Sequence, residues 1–212
     1  MVVKRKGGYR MKRWICLVLA GVLALLPLGC NKRNLGHNID SSATNTTPAS
    51  HEILLSVLHN SEPFINEQNE TVFLQDYKLG DYKNVAVIPQ KYAFIDFNEN
   101  GTKELIVYVS PDYGAYMIFR YDDQNIYGYS FDSRALIDLK TDGSFMQSEG
   151  AGINSYAKIS FGKSGYTITE EALVNTAEGL YKINGKVVAR ESIEEFTDKW
   201  HKKSAIGWTN VN

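Results

Sequence analysis

The residues with the clearest chemical potential lie in one short loop, 96–105, which reads DFNENGTKEL. Gly101, at the sixth position of the loop, allows a sharp reversal of the backbone, and the carbonyl of Thr102 supplies an oxygen at the seventh. Hard cations such as Ca²⁺ take six to eight oxygen ligands, which a tight turn with alternating inward side chains provides. Side-chain oxygens stand at the first, third, fifth and ninth positions, in Asp96, Asn98, Asn100 and Glu104.

Two other interpretations of this loop follow from the same residues. An EF-hand requires an acidic residue at the twelfth position, which is Val107 here, and a helix on each side, so the pattern does not predict an EF-hand. Asn100 followed by Gly101 also favours a plain hairpin turn that holds water in place of a metal. The sequence leaves the metal loop and the plain turn both open.

The loop resembles the calcium hairpins of FG-GAP and VCBS-type β-repeats, whose pattern is Asp-x-Asx-x-Asx-Gly-x-x-Asp-Leu between two strands. Only two of the residues that match acidic or amide positions carry a formal charge, so we expect weak calcium binding, with a Kd on the order of 10⁻⁴–10⁻³ M. The pattern occurs once, which excludes a β-propeller built from repeats of it. The ligands that the resemblance implies are Asp96, Asn98, Asn100 and Glu104 through side chains, with Thr102 contributing its carbonyl.

The elements around the loop are mostly strands. The segments on either side, 91–95 and 104–109, are apolar on both faces, as expected for strands covered on both sides. A helix is predicted to begin at Thr47-Pro48, a capping hydroxyl followed by proline at the first helical position, and to continue through 51–60. A second begins at Ser192, where Glu195 completes a capping box. The pattern indicates an α+β, β-dominated fold: one antiparallel sheet or curled half-barrel flanked by short N- and C-terminal helices. Further strands are predicted over 115–121, 126–131, 154–161, 166–174, 179–183 and 186–190, and the chain between 132 and 140 is either a short helix or an irregular strand.

Other chemical patterns are weak. The four histidines are dispersed along the chain, and no nucleophile elbow or phosphate-binding loop is present in the sequence. The 13 tyrosines include Tyr127 and Tyr129, which alternate along one strand. They fit either a stacking surface for sugar or peptide, or ordinary half-buried strand positions. The sequence therefore predicts no catalytic residues.

The first 30 residues resemble a bacterial lipoprotein signal peptide. An uncharged apolar run of about 15 residues, shorter than the ~20 that a membrane-spanning helix needs, follows a basic segment. It ends in Gly29-Cys30, which resembles a lipoprotein cleavage box, although Pro27 and Leu28 depart from its usual residues. By this resemblance Cys30 becomes the acylated amino terminus. The alternative is an uncleaved signal anchor, and translation starts at either Met1 or Met11.

The chain after the cysteine divides into a tether and a body. Residues 31–50 are polar, with one Leu and one Ile, and cannot bury enough apolar surface to fold. The predicted organisation is a signal peptide over 1–29, the lipidated cysteine and flexible tether over 30–50, and a single extracytoplasmic domain over 51–212. Several acyl chains on one cysteine suffice for stable residence in a membrane.

Composition and net charge limit the classes of partner that the protein is expected to bind. The protein has 43% hydrophobic and 22% charged residues, which is ordinary globular composition. Six of its 23 Lys and Arg residues precede residue 31, whereas all 24 Asp and Glu residues follow it, so residues 31–212 carry a net charge of −7. An acidic body argues against nucleic acid as a partner.

The stretch from about 51 to 212 also resembles a group of uncharacterised lipoproteins from Firmicutes. That resemblance supports the fold and a Gram-positive cell surface, and implies no activity. The segments that carry it are 91–96 (KYAFID), 126–129 (IYGY), Arg134-Ala135, 139–145 (LKTDGSF) and 148–151 (SEGA).

Together these features predict a membrane-anchored extracytoplasmic lipoprotein that acts as a binding or interaction module, with an unknown protein or glycan as its ligand and weakly bound Ca²⁺ as a stabiliser. Two alternatives remain. The first is a cell-wall or glycan hydrolase that uses two acidic residues ~5–10 Å apart in a concave site. The second is an accessory or inhibitor subunit of a neighbouring system.

Overall fold

The computed structural model describes residues 47–79, 86–110, 114–162 and 165–212, so Cys30, the signal peptide and most of the tether lie outside the described residues. The helices are α1, Thr47–Leu58, and α2, Arg190–His201, and the strands are numbered in chain order. The first six are β1 Phe64–Ile65, β2 Thr71–Val72, β3 Ile88–Ile95, β4 Glu104–Ser110, β5 Ala115–Asp122 and β6 Asn125–Asp132. The other six are β7 Ser144–Gly150, β8 Ile153–Gly162, β9 Gly165–Asn175, β10 Leu180–Ile183, β11 Lys186–Val187 and β12 Thr209–Asn210.

The fold class predicted from the sequence, α+β with β dominant, is confirmed: strands make up 48% and helices 16% of the structure. The strands form two sheets where one was expected. The first sheet has the order β12-β3-β4-β5-β6-β1-β2 and the second β11-β10-β9-β8-β7. Every pairing is antiparallel except that of β1 with β6.

The sheets and helices stack in four layers because the central strands are apolar on both faces. One face of the first sheet buries Leu105, Val107 and Phe119 against α1. The other face, with Ile106 and Ile118, shares a core with β7 and β8 of the second sheet. The outer face of the second sheet packs on α2. That outer cluster contains Tyr156, Ala172, Ile193 and Trp200, with Phe196 half-buried beside them.

Two local predictions are wrong. Helix α2 begins at Arg190, and its N-cap residue is Ala189, which makes no side-chain capping bond, so Ser192 and Glu195 do not form the expected capping box. The amide of Val188 donates to the carbonyl of Tyr181. This bond extends the β10–β11 hairpin to within two residues of the helix start. After Asp132, the last residue of β6, residues 133–140 form turns and two isolated bridges in place of a helix or strand.

The hairpin turns follow the sequence closely. Asn184 and Gly185 both have positive φ, 49° and 74°, as the two-residue turn between β10 and β11 requires. Asp123 and Gln124 adopt the same left-handed region, with φ of 47° and 63°, between β5 and β6. Neither α-helix among the described residues has both the length and the apolar character needed to cross a membrane.

Candidate functional sites: the 96–104 loop and an aromatic row

The predicted metal loop connects β3 to β4. Ile95 and Glu104 face each other as the last antiparallel pair of this hairpin, so the loop begins and ends at the same edge of the sheet. Two of its residues have positive φ, Glu99 at 54° and Gly101 at 84°. Gly101 adopts this conformation without steric cost, as the sequence predicts.

Asp96 holds the loop together from its first position. Its Oδ1 accepts a hydrogen bond from the amide of Asn100 (3.0 Å), and its Oδ2 accepts one from the amide of Gly101 (2.6 Å). The Oδ1 of Asn100 in turn accepts the amide of Thr102 at 2.8 Å. Both side chains therefore satisfy backbone N–H groups that the tight turn leaves without ladder partners.

Asn98 joins the loop to the second sheet. Its Nδ2 donates to the carbonyl of Phe161 at 2.7 Å, and its Oδ1 accepts the amide of the same residue at 2.9 Å. Phe161 lies near the end of β8, 63 residues further along the chain, and is itself buried. The side chain of Asn98 thus pairs with both the amide and the carbonyl of Phe161, as a neighbouring strand would in a sheet.

Glu104 is almost fully buried, with 1% of its surface exposed. Its Oε2 accepts the amide of Phe97 at 3.3 Å, and its Oε1 lies 4.0 Å from the Nε of Arg120. Burial raises the pKa of Glu104 to about 7, although the Phe97 amide and the Arg120 guanidinium oppose that rise; the nearby Asp96 adds to it. The site therefore favours the neutral acid far more than an exposed glutamate does.

Arg120, on β5, is the polar residue of this region that the sequence reasoning missed. Besides approaching Glu104, it forms an ion pair with Asp122 at 3.1 Å and donates to the carbonyl of Gly162 at the end of β8. A single arginine inside the otherwise apolar segment AYMIFRY is the signal that would have identified it. It provides a second link between the two sheets, close to that of Asn98.

Four of the five predicted calcium ligands therefore already use their side-chain oxygens within the protein. The side chains of Asp96, Asn98, Asn100 and Glu104 already accept backbone N–H groups, and the amide of Thr102 is bound to Asn100. A cation in the loop would share or replace these partners. The described residues contain no group of three or more His, Cys, Asp or Glu side chains placed to hold a metal ion. Calcium binding stays a prediction.

A second polar and aromatic cluster lies on the first sheet, on the face turned toward the second sheet. We call Lys91, Tyr108, Tyr116 and Trp208 the aromatic row. Lys91 pairs with Tyr108 across β3 and β4, and Tyr108 pairs with Tyr116 across β4 and β5, so the three side chains lie side by side. Trp208, just before β12, stacks on Tyr116 with ring centroids 6.2 Å apart and planes at 26°.

The lysine of the aromatic row lies over two of its rings. The Nζ of Lys91 is 4.7 Å from the ring centroid of Trp208 and 5.1 Å from that of Tyr108. Within the described part of the chain it makes no ion pair with a carboxylate. All four side chains are half-buried and so reach solvent. Gly114 leaves room for the row, because a Cβ there would lie 2.3 Å from the Tyr108 hydroxyl.

The tyrosines that the sequence singled out are placed differently. Tyr129 packs in a cluster with Phe161 and Tyr166, at centroid distances of 5.6 and 5.3 Å, and burial raises its pKa. Tyr127 is half-buried on the same strand. Tyr129 therefore belongs largely to the packing between the sheets.

A concave region also lies beside the end of α1 and the β5–β6 hairpin. It has a volume of about 340 Å³, and its lining includes Ile53, Phe64 and Tyr121. The lining contains one carboxylate, that of Glu62. A glycosidase site of the usual kind needs two.

No protein-family model, curated protein or solved structure matches this chain. The resemblances to calcium hairpins and to Firmicutes lipoproteins therefore stay predictions.

Proposed function

We propose that the protein is a lipid-anchored module of the bacterial cell envelope that binds a partner on the extracytoplasmic side of the membrane. The proposed anchor rests on the sequence: a basic segment, a short apolar run, Gly29-Cys30 and a polar tether. A Gram-positive surface is proposed on the family resemblance alone. The tether would let the body reach a protein or glycan beside the membrane.

The observation that carries the binding part of this proposal is the aromatic row. Aromatic rings with one apolar face and a nearby polar group are typical of recognition surfaces, because they bury a large area with little loss of side-chain entropy. In the row, three rings and one ammonium group from four separate strands or strand ends reach solvent together. The side chains of Asp96, Asn100 and Glu104, in contrast, bond the backbone of their own loop, and that of Asn98 bonds the second sheet.

The anchor is tested by mass spectrometry of the full chain expressed in a Gram-positive host. We expect a mature protein that begins at Cys30, carries acyl chains on that residue and is recovered with the membrane fraction. The Cys30→Ala variant should remain unlipidated and unprocessed. An unlipidated wild-type chain in the cytosol would contradict the proposal.

Calcium is proposed as a weak stabiliser of the 96–104 loop, and the inward-facing carboxylate of Asp96 is the feature in its favour. At 10 mM Ca²⁺, a Kd of ~10⁻⁴–10⁻³ M would raise the free energy of unfolding by about 1.4–2.7 kcal/mol. We expect Asp96→Ala to lose this increase and Asp123→Ala, in an exposed turn, to keep it. Thermal melts with equal calcium responses in all three proteins would contradict the calcium proposal.

The hydrolase alternative has less support. The carboxyl group with the most raised pKa, Glu104, is 1% exposed and therefore closed to a glycan chain in this conformation. Incubation of the full chain with purified cell-wall glycan, followed by analysis of released fragments, tests it directly. The accessory or inhibitor role would instead require a stable complex with a neighbouring envelope protein.

A further inference from the structure

We propose that the aromatic row binds a sugar residue that carries a single negative charge, such as a uronic acid or a sugar phosphate within an otherwise neutral glycan. This inference rests on the proposed binding function and specifies its site and ligand class. It uses the four side chains of the row and the charge of the body.

The rings provide the surface for the sugar. The planes of Trp208 and Tyr116 are 26° apart, whereas the ring of Tyr108, 5.3 Å from that of Tyr116, is tilted by 59°, so the three rings form an adjoining but angled aromatic patch. The solvent-facing parts of these rings offer apolar surface to the C–H groups on the flat side of a pyranose ring. Because Tyr116 and Trp208 are packed against the inter-sheet core on one side, they hold this arrangement before any ligand binds.

The ammonium of Lys91 selects the charge. It lies above two ring faces, where the cation–π attraction holds it in place. A lysine ammonium has three donors, and within the described residues those of Lys91 are not engaged by a carboxylate of the protein. A carboxylate or phosphate on a stacked sugar would accept a charge-assisted hydrogen bond from it.

The acidic body limits how much charge the ligand carries. Residues 31–212 have a net charge of −7, so a polyanion would be repelled at low ionic strength, whereas one negative group close to Lys91 gains more than it loses. This distinguishes the proposed ligand from a polyphosphate chain or a nucleic acid. Glycans whose charged residues are widely spaced fit this requirement.

The experiment uses the lipidated full chain in a sugar-free detergent and three probes. Methyl glucuronide has both the ring and the charge, methyl glucoside has the ring alone, and acetate has the charge alone. Binding is followed by ligand-observed NMR. We expect the glucuronide to bind about tenfold more tightly than the glucoside, since a hydrogen bond to a charged group is worth about that factor, and acetate to bind more weakly than either.

Two variants assign the binding to the aromatic row. Lys91→Met should reduce glucuronide affinity to that of the glucoside, and Trp208→Ala should weaken the binding of both sugars. Lys182→Met, which removes a half-buried lysine of the second sheet, is the matched control and should bind as the wild type does. Circular dichroism establishes that each variant is folded, and Lys91→Gln provides a second charge-removing variant if Lys91→Met is not.

Equal affinities for glucuronide and glucoside, or unchanged glucuronide binding in both Lys91 variants, would overturn the inference. The proposed function is judged separately, by retention of the same detergent-solubilised proteins on isolated cell walls freed of membrane lipid, so that the acyl chains do not cause the retention. Retention that is insensitive to Lys91 and Trp208 would overturn the role of the row and leave the proposed function standing. Failure of the wild type to be retained would overturn the proposed function itself.

Discussion

Replacing Asn98 with alanine should destabilise the protein strongly for a surface loop residue. The substitution removes two hydrogen bonds to the backbone of Phe161 and leaves the amide and carbonyl of a buried residue without those partners. Each lost bond costs about 1 kcal/mol, and incomplete access of water to the freed groups adds about 1 kcal/mol more. We expect the free energy of unfolding to fall by about 3 kcal/mol, and Tm by about 6–12 °C.

Urea denaturation in calcium-free buffer, followed by circular dichroism, measures this loss. The matched control is Asn125→Ala, because the side chain of Asn125 donates to the carbonyl of Asp123 within an exposed hairpin turn and makes no link to the second sheet among the described residues. We expect that variant to lie within about 0.5 kcal/mol of the wild type, as surface substitutions usually do. A loss below about 0.5 kcal/mol for Asn98→Ala would refute the role of Asn98 as a link between the sheets.

Asn98→Asp separates this structural role from a metal-binding role. The aspartate keeps an acceptor for the Phe161 amide but places a second carboxylate oxygen against the Phe161 carbonyl, which the Asn98 Nδ2 approaches at 2.7 Å in the wild type. Without calcium it should therefore lose at least as much stability as Asn98→Ala. If Asn98 is instead a calcium ligand, the added charge strengthens the site, and 10 mM Ca²⁺ restores Tm. Rescue by calcium in Asn98→Asp but not in Asn98→Ala would favour the metal role.

Two further predictions concern a buried charge and a core glycine. In calcium-free buffer, Glu104→Gln should flatten the dependence of stability on pH. Because the pKa of Glu104 is about 7 in the folded protein and about 4.5 in the unfolded chain, the free energy of unfolding of the wild type falls as pH rises through that window. At pH 8 the variant should therefore be on the order of 2–3 kcal/mol more stable than the wild type. His51, whose pKa is lowered by burial, contributes the opposite slope in both proteins, so the difference between their urea-derived profiles is decisive, and parallel profiles would contradict the prediction. Gly128→Ala should lower the free energy of unfolding by about 1–3 kcal/mol or more, because its Cβ would lie 2.4 Å from the Phe64 ring. The control, Gly150→Ala, should be nearly neutral, since nothing lies within 4 Å of a Cβ at that position. Thermal melting measures both variants, and equal melting temperatures would contradict the packing described.

The sequence predicted most of the local structure because its signals are local. Alternating apolar residues and the Asn184-Gly185 turn located the strands and hairpins within a few residues. The strand β7, SFMQSEG, was missed because its mixed polar pattern lacks β-branched residues, and it is held by pairing with β8. The pattern from Ser192 to Glu195 predicts a helix cap, but the helix begins earlier, at Arg190, because the chain enters it directly after β11.

The candidate sites depend on contacts that no short pattern encodes. Asn98 matched a metal-ligand position, yet its partner, Phe161, lies 63 residues away on another sheet. The aromatic row likewise combines residues from β3, β4, β5 and the segment before β12, which only the strand order brings together. Spacing along the chain located side chains that carry oxygen acceptors, but it could not indicate which of them the fold itself would use.

The position of β12 has a consequence for how the protein reaches its final form. This strand, at residues 209–210, pairs with β3 at one edge of the first sheet, although the other strands of that sheet precede residue 133. When the chain is synthesised from its amino terminus, β3 stays an open edge of the first sheet until the second sheet and α2 have been synthesised and β12 follows. Exposed strand edges invite pairing between molecules. During synthesis the protein is therefore most prone to aggregate late, in the interval before its last residues are added.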